Sequence, residues 1–282
     1  MQRQFERRAV HWAQHDAVVR EVERRLVGRL DLMRIAPARM LDVGCGPGHS
    51  RRLLCERFSA AEWLGVDRSR AMFGTALRGW RRWLPAARGA RPLFVQADAA
   101  ALPLADASVE LVLSNLMLHW YPDPAAALAE WLRVLRPGGL LLFSCLGPDS
   151  LRQVRAAFAA HWPAARPLTY ADLHDVGDAL VATGGADPVL EAEHLTLTYA
   201  SPAALLREVA ALGGNPHPQR PAGLPGTRRA RAVRAALPSD GGGRWPLTLE
   251  VVYGHAWRVA RRDRAAAVPL AQLRATLPAR RG

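Results

Sequence analysis

Three glycines at alternate positions, Gly44, Gly46 and Gly48, end an apolar run and precede a segment of helical composition. This order of strand, tight loop and helix start exposes backbone N–H groups that can hold a ligand. Glycine suits such a loop because it adopts positive φ without strain and lets a ligand lie against the main chain. The dinucleotide fingerprint G-x-G-x-x-G does not match, because His49 occupies the position of its third glycine. The loop, with Asp42 just before it, therefore predicts a ligand site of another kind.

Polar side chains end the next three predicted strands in the same way. Asp67 ends the second strand, Asp98 the third and Asn115 the fourth. Ligands of open α/β sheets bind at the carboxyl ends of the strands, so these side chains are expected to meet the glycine loop at one edge. Asp67 could accept hydrogen bonds from both hydroxyls of a ribose, and Asp98 could accept one from an adenine amine. The four positions together predict a site for an adenosine-containing ligand.

The elements that must position these residues alternate between strand and helix. Apolar segments predict strands at 39–45, 62–67, 92–98, 107–115 and 140–144. Helices are predicted at 48–57, from Ser69 to about Trp83, and from Pro124 to Leu135, where a sharp turn at 136–139 follows. Such alternation is typical of an α/β, Rossmann-like fold with a mostly parallel sheet and helices on both faces.

The segments before and after this region do not show the same regular alternation of strand and helix. Residues 5–32 carry apolar side chains at mostly helical spacing, which predicts one or two amphipathic helices. After residue 146 the predicted elements are helices at 149–162, 171–183, 201–212 and 228–236, strands at 189–199 and 247–257, and a loop at 213–226. We divide the chain into an N-terminal helical cap (1–36), a ligand-binding core (37–146), the remaining sheet with inserted lid segments (147–258) and a mobile basic tail (259–282).

The sequence D-V-G-C-G-P-G at 42–48 resembles motif I of the class I S-adenosyl-L-methionine (SAM) methyltransferases. The resemblance implies SAM as the cofactor. It also implies a set of SAM contacts around the predicted strand ends, namely Asp42, Gly44, Gly46, Gly48, Asp67, Arg68, Met72, Asp98, Ala99, Asn115 and Leu116.

Five further motifs narrow the resemblance, and they lie at 114–120, 143–151, 172–178, 195–199 and 253–257. They are similar to those of the malonyl-acyl carrier protein O-methyltransferases of biotin synthesis (the BioC family), and the similarity extends over residues 4–258. The resemblance implies methylation of the free carboxylate of a malonyl thioester, on an acidic acyl carrier protein or on coenzyme A. It also implies a seven-stranded sheet with one antiparallel strand, supplied by Leu247–Trp257.

Two positions depart from that family, and other functions stay open. Trp12 and His119 stand where the family often has tyrosine and glutamine. Related SAM-binding proteins include protein arginine hydroxylases of respiratory-complex assembly, so a different substrate or a non-catalytic assembly factor remains an alternative. A nucleic-acid methyltransferase is disfavoured because the sequence lacks an aromatic-basic strand platform and an Asn/Asp-Pro-Pro-aromatic tetrad. Neither nucleic acid nor a membrane is expected as a partner.

A carboxylate as the methyl acceptor determines which groups the protein needs around its substrate. The acceptor is already ionised at neutral pH, so no general base is needed. It needs a cation for selection and a pocket that excludes water. Arg220, whose planar guanidinium can hold a carboxylate with two hydrogen bonds, is the candidate cation. The other candidates for positioning the substrate are Trp12, His15, His119 and Trp120, and none is assigned as a catalytic group.

The composition permits a sizeable core and indicates a surplus of positive charge. The 282 residues are 50% hydrophobic, and 38 basic against 25 acidic residues give a net charge of +13. All of the basic residues are arginine, and the segment 228–234 carries Arg228, Arg229, Arg231 and Arg234. That segment could meet the acidic face of a carrier protein or could be a solvated surface, and the sequence leaves both interpretations open.

The cysteines and the first residues indicate the cellular compartment that we expect. Cys45, Cys55 and Cys145 form no C-x-x-C pair, so we expect free thiols in a reducing cytoplasm and no metal site. The first residues are rich in arginine and glutamate, and no signal peptide is expected.

Overall fold

A computed structural model describes residues 5–6, 9–73, 93–165, 169–212 and 226–259. Three predictions fall wholly or mostly outside them. These are the body of the helix expected from Ser69 to Trp83, the loop at 213–226 and the tail from residue 260 onward. Ser69 itself lies directly before the first turn of that helix, which begins at Arg70.

The described residues form a seven-stranded sheet in the order β3-β2-β1-β4-β5-β7-β6. Strands β1 to β5 run parallel, and β7 is antiparallel to both β5 and β6. The predicted sheet with one antiparallel strand is confirmed. The strands are β1 (Arg39–Val43), β2 (Glu62–Asp67), β3 (Leu93–Gln96), β4 (Val109–Ser114), β5 (Leu135–Leu146), β6 (Gly185–Tyr199) and β7 (Trp245–Arg258).

Helices cover the sheet, and the larger ones match the predicted segments closely. They are α1 (Ala17–Gly28), α2 (Ser50–Arg57), α3 (Ala125–Val134), α4 (Arg152–His161), α5 (Leu173–Ala182), α6 (Pro202–Ala211) and α7 (Thr227–Ala235). Short 3-10 helices occupy Ala9–Gln14, Arg29–Leu32, Leu118–Trp120 and Pro163–Ala165. Among the described residues, no helix combines the length and the apolar character that crossing a membrane requires.

The core lies on both faces of the sheet because its central strands are apolar on both sides. Leu111, Leu113, Leu140 and Leu142 pack on one face with Leu26 of α1. Val112, Leu141 and Phe143 pack on the other face with residues of α3 and α5. Helix α1 is therefore a layer of the core, held by side chains that are fully buried.

Strands β6 and β7 continue as a two-stranded ribbon past the end of β5. Leu146, the last residue of β5, pairs with Val251, whereas the pairing of β6 with β7 continues to Tyr199 and Trp245. The ribbon therefore projects beyond the carboxyl ends of the parallel strands. A separate apolar cluster packs on it, formed by side chains of α4, α6, α7 and β7 that include Val154, Leu205, Val233 and Leu247.

Two strand boundaries differ from the predictions. The expected turn at 136–139 is part of β5, because Val109 pairs with Leu135 and Leu111 already pairs with Leu140. The intervening residues form a bulge, which Gly138 permits with φ of +80°. Strand β6 begins at Gly185, earlier than predicted, and contains a second register shift between Ala186 and Val189.

Candidate functional site

A cavity opens at the carboxyl ends of β1, β2 and β4, where the predicted ligand site was expected. With its open mouth it contains ≈ 1230 Å³ of empty space. Nine predicted cofactor contacts line it, namely Asp42, Gly44, Gly46, Asp67, Arg68, Met72, Ala99, Asn115 and Leu116. Trp12, His119 and Trp120 line it as well, whereas Gly48, Asp98 and His15 do not. Arg220 lies outside the described residues.

The glycine loop has the geometry that its composition requires. Gly44 and Gly46 have φ of +76° and +52°, a region that other residues rarely adopt. A Cβ on Gly44 would lie 2.5 Å from Cγ of Met117, so the side chain of Met117 closes over the loop. Gly48 has φ of +78°, and a Cβ there would face the rings of Phe94 and Trp63. Gly48 therefore belongs to the part of the turn that does not line the cavity, and its contact with the cofactor stays a prediction.

Asp67 is fixed at the end of β2 by backbone donors. Its two carboxylate oxygens accept hydrogen bonds from the backbone N–H of Gly46 at 2.9 Å and of Ser69 at 2.7 Å. Burial raises the pKa of this carboxyl group, and the backbone N–H groups oppose the shift. Each oxygen keeps a further lone pair, so the carboxylate can accept hydrogen bonds from a ligand in the cavity.

Asp98 stands just behind the cavity wall. Its carboxylate accepts hydrogen bonds from the Tyr121 hydroxyl and the backbone N–H of Ala100, and it lies 3.1 Å from the guanidinium of Arg68. Although burial opposes the shift, these partners lower the pKa of Asp98. Arg68 and Tyr121 line the cavity themselves. Asp98 therefore holds two lining side chains in place, and its direct contact with an adenine amine stays a prediction.

Asn115 joins three elements beside the cavity. Its side-chain nitrogen donates to the carbonyl of Val19 in α1 at 2.9 Å, and its oxygen accepts from the hydroxyl of Ser144 in β5 at 2.7 Å. The same hydroxyl accepts from the backbone N–H of Leu116, a residue with φ of +48°. Asn115 thus anchors α1 to the ends of β4 and β5, and the Ser144 hydroxyl holds the unusual backbone conformation of Leu116 in the cavity wall.

Two buried acids, Glu23 and Asp42, line the cavity. Asp42 accepts a hydrogen bond from the Ser50 hydroxyl, and burial raises its pKa to about 7. Glu23 of α1 is 7% exposed, and burial raises its pKa, with a further contribution from the nearby Asp42. Among the described residues, no arginine or histidine forms an ion pair with either carboxylate. Sequence reasoning missed Glu23, because it is one of five charged residues in the twelve-residue α1 and nothing local marks it as buried.

Another part of the cavity lining is aromatic and carries no charge. Trp120 makes edge-to-face contact with Phe5, with ring centroids 5.3 Å apart, and it lies beside His119. Burial lowers the pKa of His119 to about 3, so its ring is neutral at physiological pH. Its Nδ1 atom accepts a hydrogen bond from the backbone N–H of Leu146 at 3.4 Å, which places the ring proton on Nε2. His119 can therefore donate a hydrogen bond but cannot act as the cation that selects a carboxylate.

Three lining residues, Trp12, His49 and Ser69, carry buried polar atoms without a well-formed hydrogen bond, and of these only His49 Nε2 lies near a described acceptor, the Asp16 carboxylate at 2.8 Å. Trp12 Nε1 and Ser69 Oγ make no hydrogen bond within the described part of the chain. Buried polar groups are normally hydrogen-bonded, so both atoms indicate donors reserved for a ligand. Ser69 stands at the start of the helix predicted from Ser69 to about Trp83, and its hydroxyl lies beside the cavity without a hydrogen bond to any described residue.

His15 has a structural role that differs from its predicted one. Its Nδ1 atom lies 2.8 Å from Oε2 of Glu208 in α6, and the neighbouring Asp16 lies 2.8 Å from Nε2 of His49 after the glycine loop. These contacts join the N-terminal segment to α6 and to the start of α2. His15 therefore braces elements around the cavity without lining it, and its role in positioning the substrate stays a prediction.

The residues fit a cationic nucleoside such as SAM. Gly46 leaves open space beside the loop, three acids (Glu23, Asp42 and Asp67) line the cavity, and Trp12 Nε1 and Ser69 Oγ have no hydrogen-bond partner among the described residues. A mostly apolar cavity with a few placed polar groups is the usual form of a small-molecule site.

Comparisons with known proteins agree with this geometry. Residues 41–143 match the family model described as a methyltransferase domain. A putative methyltransferase from Bacillus halodurans superposes with a TM-score of 0.61 at 16% identity, covering 83% of this chain and 99% of that one. Phosphoethanolamine N-methyltransferase 2 of Haemonchus contortus, solved with S-adenosyl-L-methionine, superposes with a TM-score of 0.52 at 19% identity over 84% and 52% of the two chains. These likenesses establish the class I SAM methyltransferase fold.

Sequence relatives are more specific. The malonyl-[acyl-carrier protein] O-methyltransferase of Halorhodospira halophila is 43% identical over 91% of this chain and 86% of its own length. The enzyme of the same name from Laribacter hongkongensis is also 43% identical, over 92% and 89%. That from Gallionella capsiferriformans is 39% identical, over 93% and 91%. Such identity along nearly whole chains, together with the SAM-type cavity, places this protein in the malonyl-[acyl-carrier protein] O-methyltransferase family.

Proposed function

We propose that this protein transfers the methyl group of SAM to the free carboxylate of a malonyl group carried by acyl carrier protein, a step of biotin synthesis. The observation that carries the proposal is the cavity itself, whose lining combines the buried acids Glu23 and Asp42 with the uncharged aromatic side chains of His119 and Trp120. The names of the relatives support the malonyl acceptor.

The cofactor side follows from the placement of the polar groups. Asp67 would accept hydrogen bonds from the ribose hydroxyls, and Gly46 would let the ligand lie against the loop. Glu23 and Asp42 would face the ammonium group of the methionine part. Bound SAM supplies a methyl group already activated by its positively charged sulfur, so the protein needs to bind and orient the reactants.

The acceptor side must hold a carboxylate in line with that methyl group. An ionised carboxylate needs no base, and holding two reactants at reacting distance can supply about 7–11 kcal/mol. The ring of Trp120 would exclude water, while His119 Nε2 and Trp12 Nε1 would donate hydrogen bonds to the acceptor. Arg220 remains the proposed cation that selects the malonyl carboxylate.

The proposal also includes the carrier of the malonyl group and the cellular compartment of the protein. Malonyl-acyl carrier protein is the preferred acceptor, and malonyl-coenzyme A is the alternative. A cytoplasmic location is supported by Cys45, Cys55 and Cys145, which are free thiols in the structure.

Methyl transfer from labelled SAM tests the proposal. We expect label on malonyl-acyl carrier protein as a base-labile ester and none on acetyl-acyl carrier protein, which has no free carboxylate. Label on neither malonyl-acyl carrier protein nor malonyl-coenzyme A would refute the proposed reaction. Modification of a protein arginine would instead favour the alternative class of SAM enzyme.

A further inference from the structure

Helix α7 concentrates positive charge on the surface. Its nine residues include Arg228, Arg229, Arg231 and Arg234 and no acid, and all four arginines are exposed. None of them forms an ion pair with a described residue, whereas other arginines, such as Arg29 with Glu191, are paired. A substantial share of the +13 net charge is therefore presented uncompensated on one short helix.

The position of α7 relates this charge to the cavity. Val233 anchors the helix in the apolar cluster on the β6–β7 ribbon, which projects past the carboxyl end of β5. The cavity opens at that same edge of the sheet. Leu212, directly after α6, lines the cavity, and the chain reaches α7 from there through residues 213–225.

We propose that the arginine face of α7 is the docking surface for the acidic carrier protein that presents the malonyl group. The inference rests on the proposed function. A carrier protein is too large to enter the cavity, so it must dock at the rim while its flexible arm reaches inside. Opposite charges on the two surfaces would speed and orient that encounter, and salt would weaken it.

Charge reversal tests the surface without touching the cavity. Arg228 and Arg231 lie on the side of α7 away from the buried Val233, so the double variant Arg228→Glu, Arg231→Glu should fold normally. We expect KM for malonyl-acyl carrier protein to rise about tenfold or more at low salt, with kcat nearly unchanged. Turnover of malonyl-N-acetylcysteamine, a short thioester without a carrier, should stay within about twofold of wild type, as should SAM affinity.

Two matched variants sharpen the result. Arg34→Glu reverses an exposed arginine, without an ion pair among the described residues, before the amino-terminal end of β1, far from the carboxyl edge. It should leave KM for the carrier substrate unchanged. In the double variant Arg228→Lys, Arg231→Lys the charge is kept, so KM should stay close to the wild-type value. An unchanged KM in the α7 glutamate variant, or an equal loss with the short thioester, would overturn the docking surface. If wild type methylates neither substrate, the proposed function fails first.

Discussion

At the scale of single residues, the pair Glu23 and Asp42 needs a physical explanation. Burying an acid without a cation is costly, and both groups respond with a raised pKa. Such an arrangement weakens the free protein unless a positively charged ligand compensates for it. The ammonium group of SAM is the compensating charge in the proposed complex.

Glu23→Gln should therefore weaken binding of SAM and of S-adenosylhomocysteine, both of which carry the ammonium group, by about tenfold. Binding of methylthioadenosine, which lacks the amino-acid part, should stay unchanged, and isothermal calorimetry measures all three. Glu21→Gln is the matched control, because Glu21 is exposed on the same helix and pairs with Arg24 and Arg25. Equal weakening of all three ligands would mean that Glu23 acts on the cavity as a whole.

Asp42 predicts a pH dependence of stability whose sign is fixed by its raised pKa. The unfolded carboxyl group ionises near its ordinary value of 3.8, whereas the folded group does so near 7. Between these values the folded protein holds a proton that the unfolded chain releases, so the free energy of unfolding falls as pH rises. Above the folded pKa of about 7, the contribution of Asp42 to the free energy of unfolding is lost completely.

Asp42→Asn should remove this contribution. Urea unfolding at pH 5 and pH 8, without SAM, should show a smaller decrease in the free energy of unfolding for the variant than for wild type. An equal decrease in both proteins would contradict the raised pKa. Glu23 shifts in the same direction, so part of the decrease should persist in the Asp42 variant.

At the scale of elements, the contact of His15 with Glu208 joins the N-terminal segment to α6. If the two residues act only as a brace, His15→Ala and Glu208→Gln should each increase hydrogen exchange in residues 9–16 by a similar factor. The double variant should add little to either change. If His15→Ala loses turnover and Glu208→Gln does not, this result would support the prediction that His15 contacts the substrate.

The sequence predicted the elements well because hydrophobic periodicity and strand-end residues are local signals. The bulge at 136–139 was missed because Arg-Pro-Gly-Gly is typical of a turn, and only the pairing with β4 keeps it in the strand. The places of Asp98 and Glu23 depend on contacts with Arg68, Tyr121 and Asp42, which are distant in sequence. Tertiary contacts of this kind leave no local pattern to read.

At the scale of the whole molecule, the predicted cap at 1–36 shares its interior with the sheet. Leu26 is fully buried against β4 and β5, whereas Leu32 is 89% exposed. We expect Leu26→Ala to lower the free energy of unfolding by about 2–5 kcal/mol and Leu32→Ala to change it by less than about 0.5 kcal/mol. Chemical denaturation should give one cooperative transition for each variant, and a separate early transition in Leu26→Ala would indicate an independent cap.

The projecting ribbon of β6 and β7 lies apart from the parallel strands, so the proposed acceptor side and the proposed methyl-donor side depend on different elements. In the proposed complex, the parallel strands and the glycine loop would face the nucleoside, while the helices packed on the ribbon would border the space where the acceptor arrives. Residues on the ribbon can therefore diversify while the nucleoside pocket stays constant. Grafting this ribbon with its helices onto a related scaffold would be expected to exchange the acceptor and keep the methyl donor.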